Sequence, residues 1–422
     1  MAATADAQYA EVRVELADRP DDSPIRCAFV PLSDADVSAN LRALAHPQRT
    51  VFDSTAGHRV DSVSFQPCVG YHTQDRHVVQ QLDVHGQKWT FTGVFDAGHL
   101  GDATVEHTAY HLPIIVTQFL QKAIPGPSAP VPAPDTVADI LSRAITSFDD
   151  AIAGDILALF PGGIASLAAR SDEEIRAVIN DFNAAGVGAN YQKARLCMYG
   201  TTALVALVDP HHENLWVANL GDSDAVLTSP GLDGRWQFEI LNDIHNGDNE
   251  SEVRRVRREH PGEPDAVLDG RVLGTIAPFR CIGDAPFKQP AEFTRRVLYN
   301  LYPGIPNASQ WDALLARNRT PPYISARPDV THRRLRAAPA LLVLATDGLA
   351  ELCEDVPRAA RASEWARCVG AAYAAGKAGP ENLALWLLRE ALGPDTMHVS
   401  QMLTLDMDTP WMDDTTIIVQ VL

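Results

Sequence analysis

The chain has 422 residues, 46% of them hydrophobic, which is enough to build a sizeable core in one large domain or in two to three smaller ones. A formal net charge of −19 argues against nucleic acid or an anionic membrane surface as the main partner. Six scattered cysteines without CxxC or zinc-like spacing point to a reducing compartment, and no apolar run approaches the ~20 residues that span a bilayer, so no membrane insertion is expected.

The N-terminus, MAATADAQYAEVRVELADRPDD, carries Asp6, Glu11, Glu15 and Asp18, acids foreign to secretory signals and to transit peptides. A cytoplasmic location is the expectation from that stretch. Residues 1–50 read as an N-terminal extension, and 51–422 as the main domain. The apolar run FTGVF reads as a strand that stops on Asp96, followed by Ala97, Gly98 and His99. Helical patterns follow after Asp102, over 136–159 and over 172–182. Between the first two lies IPGPSAPVPAPD (124–135), whose five prolines forbid helix and favour an extended loop inside the domain.

Next come GTTALVALVDP, NLWVANLGDS, DAVLTSP and WQFEIL, short β-favouring runs broken by Gly, Asp and Pro, which read as an antiparallel meander. DNESEVRRVRREH reads as a charged helix whose arginines are either a solvated face or a guide for an acidic phosphoprotein. PALLVLATDG then reads as a strand, 363–375 and 380–391 as helices, and TTIIVQVL as a last strand. Several of these strands are apolar on both faces, which favours a layered α/β sandwich over an open sheet with one wet side.

Four apolar strands abut a carboxylate: Asp96, Asp222, Asp347 and the pair Asp413-Asp414. Singly, each is an ordinary turn residue. Together they form an oxygen-only set at strand ends, the kind that suits Mg²⁺ or Mn²⁺. Two such ions can share a water and aim it at phosphorus.

These same residues carry a resemblance. FTGVFDAGHLGD resembles the FDGHGG signature of the PPM (type 2C) metal-dependent serine/threonine protein phosphatases. GTTALVALVD and NLGDSDAVL are similar to that family's GSTA and GDSRA segments, FRCIGD to RAFGD, LVLATDGLAEL to LASDGLWD, and MDDTTIIV to RDNMTVIV. The order is kept from about residue 60 to the last strand. LNDIHNGDNESEVRRVRREHP, RVLGTIAPFRCIGDAPFK and TPPYISARPDVTHRRL further resemble the pyruvate dehydrogenase phosphatase branch, which would place the chain in the mitochondrial matrix.

The resemblance implies a four-layer αββα sandwich, two mainly antiparallel sheets flanked by helices, with a binuclear Mn²⁺/Mg²⁺ centre and, in some relatives, a third ion. By position, Asp96 matches the aspartate that bridges both ions. Asp347 and Asp413 match further ligands, and Asp222 the aspartate of the accessory ion. His99 matches the histidine that protonates the leaving Ser/Thr oxygen of a phosphoprotein substrate.

Two departures concern the second ion. The family reads Asp-Gly-His where this chain reads Asp96-Ala97-Gly98-His99, so the ligating carbonyl belongs to Ala97 or Gly98. The family's Glu-Asp pair is Gln74-Asp75 here, and an amide is a weaker ligand for a hard cation. Arg76 and Arg280 are candidates for binding phosphate, with a structural ion pair as the alternative for each. These departures motivate a second hypothesis, a pseudophosphatase that keeps the fold and binds a partner.

Overall fold

A computed structural model describes residues 8–12, 25–53, 57–98, 101–182, 186–305, 311–335, 339–353, 356–376 and 381–422. They fall into two units, each a sheet of antiparallel strands with helices against it. The mixed α/β class with two antiparallel sheets is as expected.

The first unit takes Met1–His77, Asp224–Ile240 and Arg336–Leu422. Its six strands run in the order Trp236–Ile240, Asp224–Pro230, Leu341–Ala345, Thr415–Val421, His58–Phe65 and Gln48–Asp53. Leu341–Ala345 and Thr415–Val421 are buried along their whole length, and the uninterrupted apolar run LLVLA of the first reflects cover on both faces. On one face pack the helices Asp34–Ala45, Arg358–Ala374 and Leu383–Ala391, through Val37, Leu41, Trp365, Val369, Leu387 and Leu388. Ser33 caps the first of these by accepting from the Asp36 N–H.

The second unit takes Val78–Ser223 and Leu241–Leu335. Its strands run Asp329–Arg334, Asn214–Leu220, Ala203–Val208, Gln87–Phe95 and Arg76–Val84. Against them lie the long helices Ala103–Ala123 and Pro134–Leu157, which bury Leu112, Val116, Ile140, Ile145 and Phe148 with Trp89, Phe91 and Trp216. The proline-rich 124–135 connects these helices, and Pro134 opens the second one, where its missing N–H costs nothing. A smaller cluster around Val256, Phe279, Phe287 and Tyr323 holds the helix Glu250–Glu259.

One expectation is corrected. The four β-runs between 200 and 240 do not form a single meander. Ala203–Val208 pairs with Asn214–Leu220 in the second unit's sheet, whereas Asp224–Pro230 pairs with Trp236–Ile240 in the first unit's sheet. The chain changes sheets at Gly221-Asp222.

Candidate metal centre

In the second unit, Gln87–Phe95 and Ala203–Val208 pair so that Val94 lies opposite Leu204. The same register runs past the strand end, with Ala97 opposite Thr201. The Thr202 N–H donates to the Asp96 carbonyl at 2.9 Å, and the Thr201 hydroxyl donates to that carbonyl at 2.8 Å. In return, the Asp96 N–H donates to Thr202 Oγ1 at 3.2 Å. The two threonines of GTTA therefore fix the Asp96 backbone, a role the sequence did not disclose. The buried Ala97 thus keeps the strand register as an isolated bridge, and Gly98 after it is exposed. His99 lies outside the described residues.

Asp222 follows Asn214–Leu220 through Gly221, which has φ of +110° and whose added Cβ would meet the Thr202 side chain at 2.6 Å. Only glycine fits both conditions. The buried His245 secures this turn: its Nδ1 accepts from the Gly221 N–H at 3.3 Å, and its own N–H donates to the Gly221 carbonyl at 2.9 Å. With Nδ1 accepting, Nε2 is the donor to Asp329 Oδ2 at 3.0 Å. Asn246 Nδ2 donates to Asp222 Oδ2 at 3.3 Å, and Asp96 and Asp222 offer carboxylate oxygens within 4.8 Å of each other.

Asp329 also receives Arg280 Nη1 at 2.8 Å, and the hydrogen bonds from His245 and Arg280 hold its carboxyl well below the usual range against partial desolvation. The other Arg280 donors go to Glu252, Nε at 2.9 Å and Nη2 at 2.7 Å, and Nη1 also reaches the Arg327 carbonyl. Arg280 thus carries the structural ion pair that was its alternative reading.

In the first unit, Leu341–Ala345 and Thr415–Val421 pair with Ala345 opposite Ile417, so the residues just beyond their adjoining ends meet. Asp347 opens the short helix Asp347–Glu351, and Asp413 precedes the last strand. Asp347, Glu351 and Asp413 each offer a carboxylate oxygen within 4.8 Å of the others. Glu351 was not singled out in the sequence. Its signal was the four-residue spacing from Asp347, which puts both on one helix face. Gly348 lets the two segments approach, since a Cβ there would fall 2.2 Å from the Asp414 carbonyl oxygen.

Gln74 donates its backbone N–H to Asp414 Oδ2 at 2.6 Å, while Gln66 Nε2 donates to Oδ1 at 2.9 Å. Asp75 is 2% exposed. Its Oδ2 accepts the Thr346 hydroxyl at 2.7 Å, and its Oδ1 is buried without a hydrogen-bond donor among the described residues. Burial pushes its carboxyl well up, the Thr346 hydroxyl opposes this, and the charges of Asp414 and Asp413 push it further up. Arg76 Nη1 donates to the carbonyls of Thr73 and Asp75, both at 2.9 Å, which ties that loop together. Crowded carboxylates and an orphaned buried oxygen are the environment a divalent cation relieves, and the all-oxygen set fits Mg²⁺ or Mn²⁺.

Two antiparallel sheets with strand-end carboxylates agree with the resemblance to the type 2C phosphatases. The family pattern described as Protein phosphatase 2C matches residues 165–359. More particularly, the chain is 41% identical over 174 residues to the mitochondrial [pyruvate dehydrogenase [acetyl-transferring]]-phosphatase 1 of Homo sapiens and of Bos taurus. That match spans 40% of this chain but only 32%, about a third, of the length of those relatives. A protein phosphatase 2C homolog of Schizosaccharomyces pombe is 27% identical over 364 residues, 81% of this chain and 74% of its own. Among solved structures, the serine-threonine phosphatase 2C of Toxoplasma gondii superposes with a TM-score of 0.51 at 16% identity, covering 87% of this chain and 96% of that one. That likeness is one of fold. Among the described residues, no helix is long and apolar enough to cross a membrane.

Proposed function

We propose that the chain is a Mn²⁺/Mg²⁺-dependent protein phosphatase that hydrolyses phosphoserine or phosphothreonine. The observation that supports it most is the Asp347–Glu351–Asp413 carboxylate cluster, set at the ends of two paired strands in a chain with family motifs. By the motif resemblance, Asp96, Asp222, Asp347 and Asp413 are the carboxylates that would hold Mn²⁺ or Mg²⁺, with Asp222 matching the position of an accessory ion. The carbonyl of Ala97 or Gly98 would be a donor for a second ion, and Gln74-Asp75 is its weakened position. A divalent cation supplies there the positive charge that acidifies a water and offsets the phosphoryl oxygens.

The chain's own residues then have separate tasks. The Thr201–Thr202 clamp fixes where the Asp96 carboxylate points, and the His245-braced turn does the same for Asp222. His99 protonates the departing Ser/Thr oxygen, a poor leaving group without a proton. The catalytic domain is 51–422, with 1–50 an extension attached through the helix Asp34–Ala45, which shares the first unit's core.

The test is phosphate release from a phosphopeptide with Mn²⁺ titrated, comparing wild type with Asp347→Ala. Turnover that rises with Mn²⁺ and vanishes in the variant is expected. Turnover that ignores Mn²⁺, or none at any concentration, overturns the enzyme and favours a binding module, the reading that Gln74 and the added residue after Asp96 motivate. A Gln74→Glu change is expected to lower the Mn²⁺ concentration for half-maximal activity.

The names of the matched relatives extend the proposal to substrate and place: phosphorylated pyruvate dehydrogenase, in the mitochondrial matrix rather than the cytoplasm. A kcat/KM on that phosphoprotein no better than on an unrelated phosphopeptide would remove the first point. Cell fractionation decides the second.

A further inference from the structure

His107 and His111 lie one turn apart on the helix Ala103–Ala123, their ring centroids 4.2 Å apart. The run HTAYH repeats the i, i+4 spacing that puts two imidazoles on one face in helical zinc sites. His107 stacks on Phe148 with centroids 5.6 Å apart and 13° between planes, and His111 meets the edge of Tyr110. Both histidines are half-buried, and neither ring has a hydrogen-bond partner among the described residues. Asp155, on the facing helix Pro134–Leu157, adds negative charge near His107 and pairs with Lys193 at 2.9 Å.

Burial, reinforced by His111, holds the His107 imidazole down at about 4, so at neutral pH it is uncharged and keeps a lone pair to give. Uncharged imidazole prefers zinc, copper and nickel, whereas the carboxylate cluster prefers magnesium and manganese. Thr108 stands where helical zinc hydrolases carry the glutamate base, so the pair has the means to bind but not to hydrolyse.

We propose that His107 and His111 form a two-point imidazole site for a transition-metal cation of the Zn²⁺ class, its remaining coordination filled by water. Such a clasp would pin the second turn of the helix that follows the Asp96–Asp102 segment.

The test uses the full chain in excess Mg²⁺, titrated with Zn²⁺ by calorimetry, beside His111→Gln and Asp347→Ala. Expected is one Zn²⁺ per chain that persists in Asp347→Ala and weakens at least about tenfold in His111→Gln, since even outer-shell changes cost 10–100-fold at metal sites. Equal Zn²⁺ affinity in wild type and His111→Gln overturns the proposal. His111 is the residue to change because replacing His107 would also disturb Phe148. Cu²⁺ bound to the unaltered chain needs no variant: nitrogen couplings from two imidazoles in its EPR spectrum support the site, and their absence refutes it. Neither readout depends on phosphatase activity, so a failure here leaves the phosphatase reading untouched, and the reverse holds too.

Discussion

A single methyl group tests the geometry around Asp347. The Cβ of Gly348→Ala would have to sit 2.2 Å from the Asp414 carbonyl oxygen, which is backbone and cannot swing aside. Overpacking of this kind costs about 1–3 kcal/mol. A urea melt is expected to show that loss, accompanied by weaker Mn²⁺ binding as the Asp413 segment is pushed off. Gly98→Ala is the stability control, because its Cβ meets nothing within 4 Å, and its unfolding free energy is expected to change by less than about 0.5 kcal/mol. Glu252 offers a second test. It is 4% exposed, and burial alone would raise its carboxyl, but the hydrogen bonds of Arg280 and Arg255 outweigh this and bring it down to about 2. A depressed carboxylate stabilises the fold above its unfolded value, near 4.5, and loses that contribution as pH falls toward 2. Glu252→Gln is therefore expected to cost about 1.5–3 kcal/mol at pH 7, because Arg280 loses this charged partner while keeping Asp329. The gap from wild type should close between pH 4.5 and 2 in melts followed by circular dichroism.

At the level of strands and helices, local pattern was readable and partnership was not. Helices after Asp102, over 136–159 and in DNESEVRRVRREH showed in apolar spacing and charge, because those signals lie within a few residues of one another, whereas Pro134, read as part of the loop, opens the second helix. The strands were visible as β-branched runs. Their assignment to sheets was hidden, because nothing inside NLWVANL or DAVLTSP says that the chain leaves one sheet at Gly221 and enters the other at Asp224. The helix Asp34–Ala45 went unread because its buried residues, Val37, Leu41 and Ala45, are few and are covered by residues remote in sequence. At the site, strand-end aspartates were legible as carboxylates that a buried strand does not need. Thr201, Thr202 and His245 were not, since each acts through a backbone group remote in sequence. Thr201→Val removes the 2.8 Å hydrogen bond to the Asp96 carbonyl and leaves that of the Thr202 N–H. We expect about 1 kcal/mol of lost stability, with kcat reduced more than KM, measured by chemical denaturation and steady-state kinetics.

For the molecule as a whole, the governing quantity is the net charge of −19. A phosphorylated acidic peptide would approach against that field. Raising ionic strength from about 0.01 to 0.15 M shortens the screening length from ~30 to ~8 Å. KM for an acidic phosphopeptide is expected to fall severalfold over that range with kcat unchanged, and KM for a basic one to rise. Identical salt profiles for the two peptides would show that long-range charge plays no part in encounter.

The pairing of Leu341–Ala345 with Thr415–Val421 brings Asp347 and Asp413 together from either side of one ladder. Sliding one strand past the other by two residues keeps every side chain on its proper face, yet displaces the donors by ~7 Å. Apolar contacts alone discriminate poorly between such alternatives, whereas a cation rewards only the alignment that joins its donors. The ion would thus act as a proofreader of assembly before any phosphate arrives, favouring the correctly threaded sheet over its near misses.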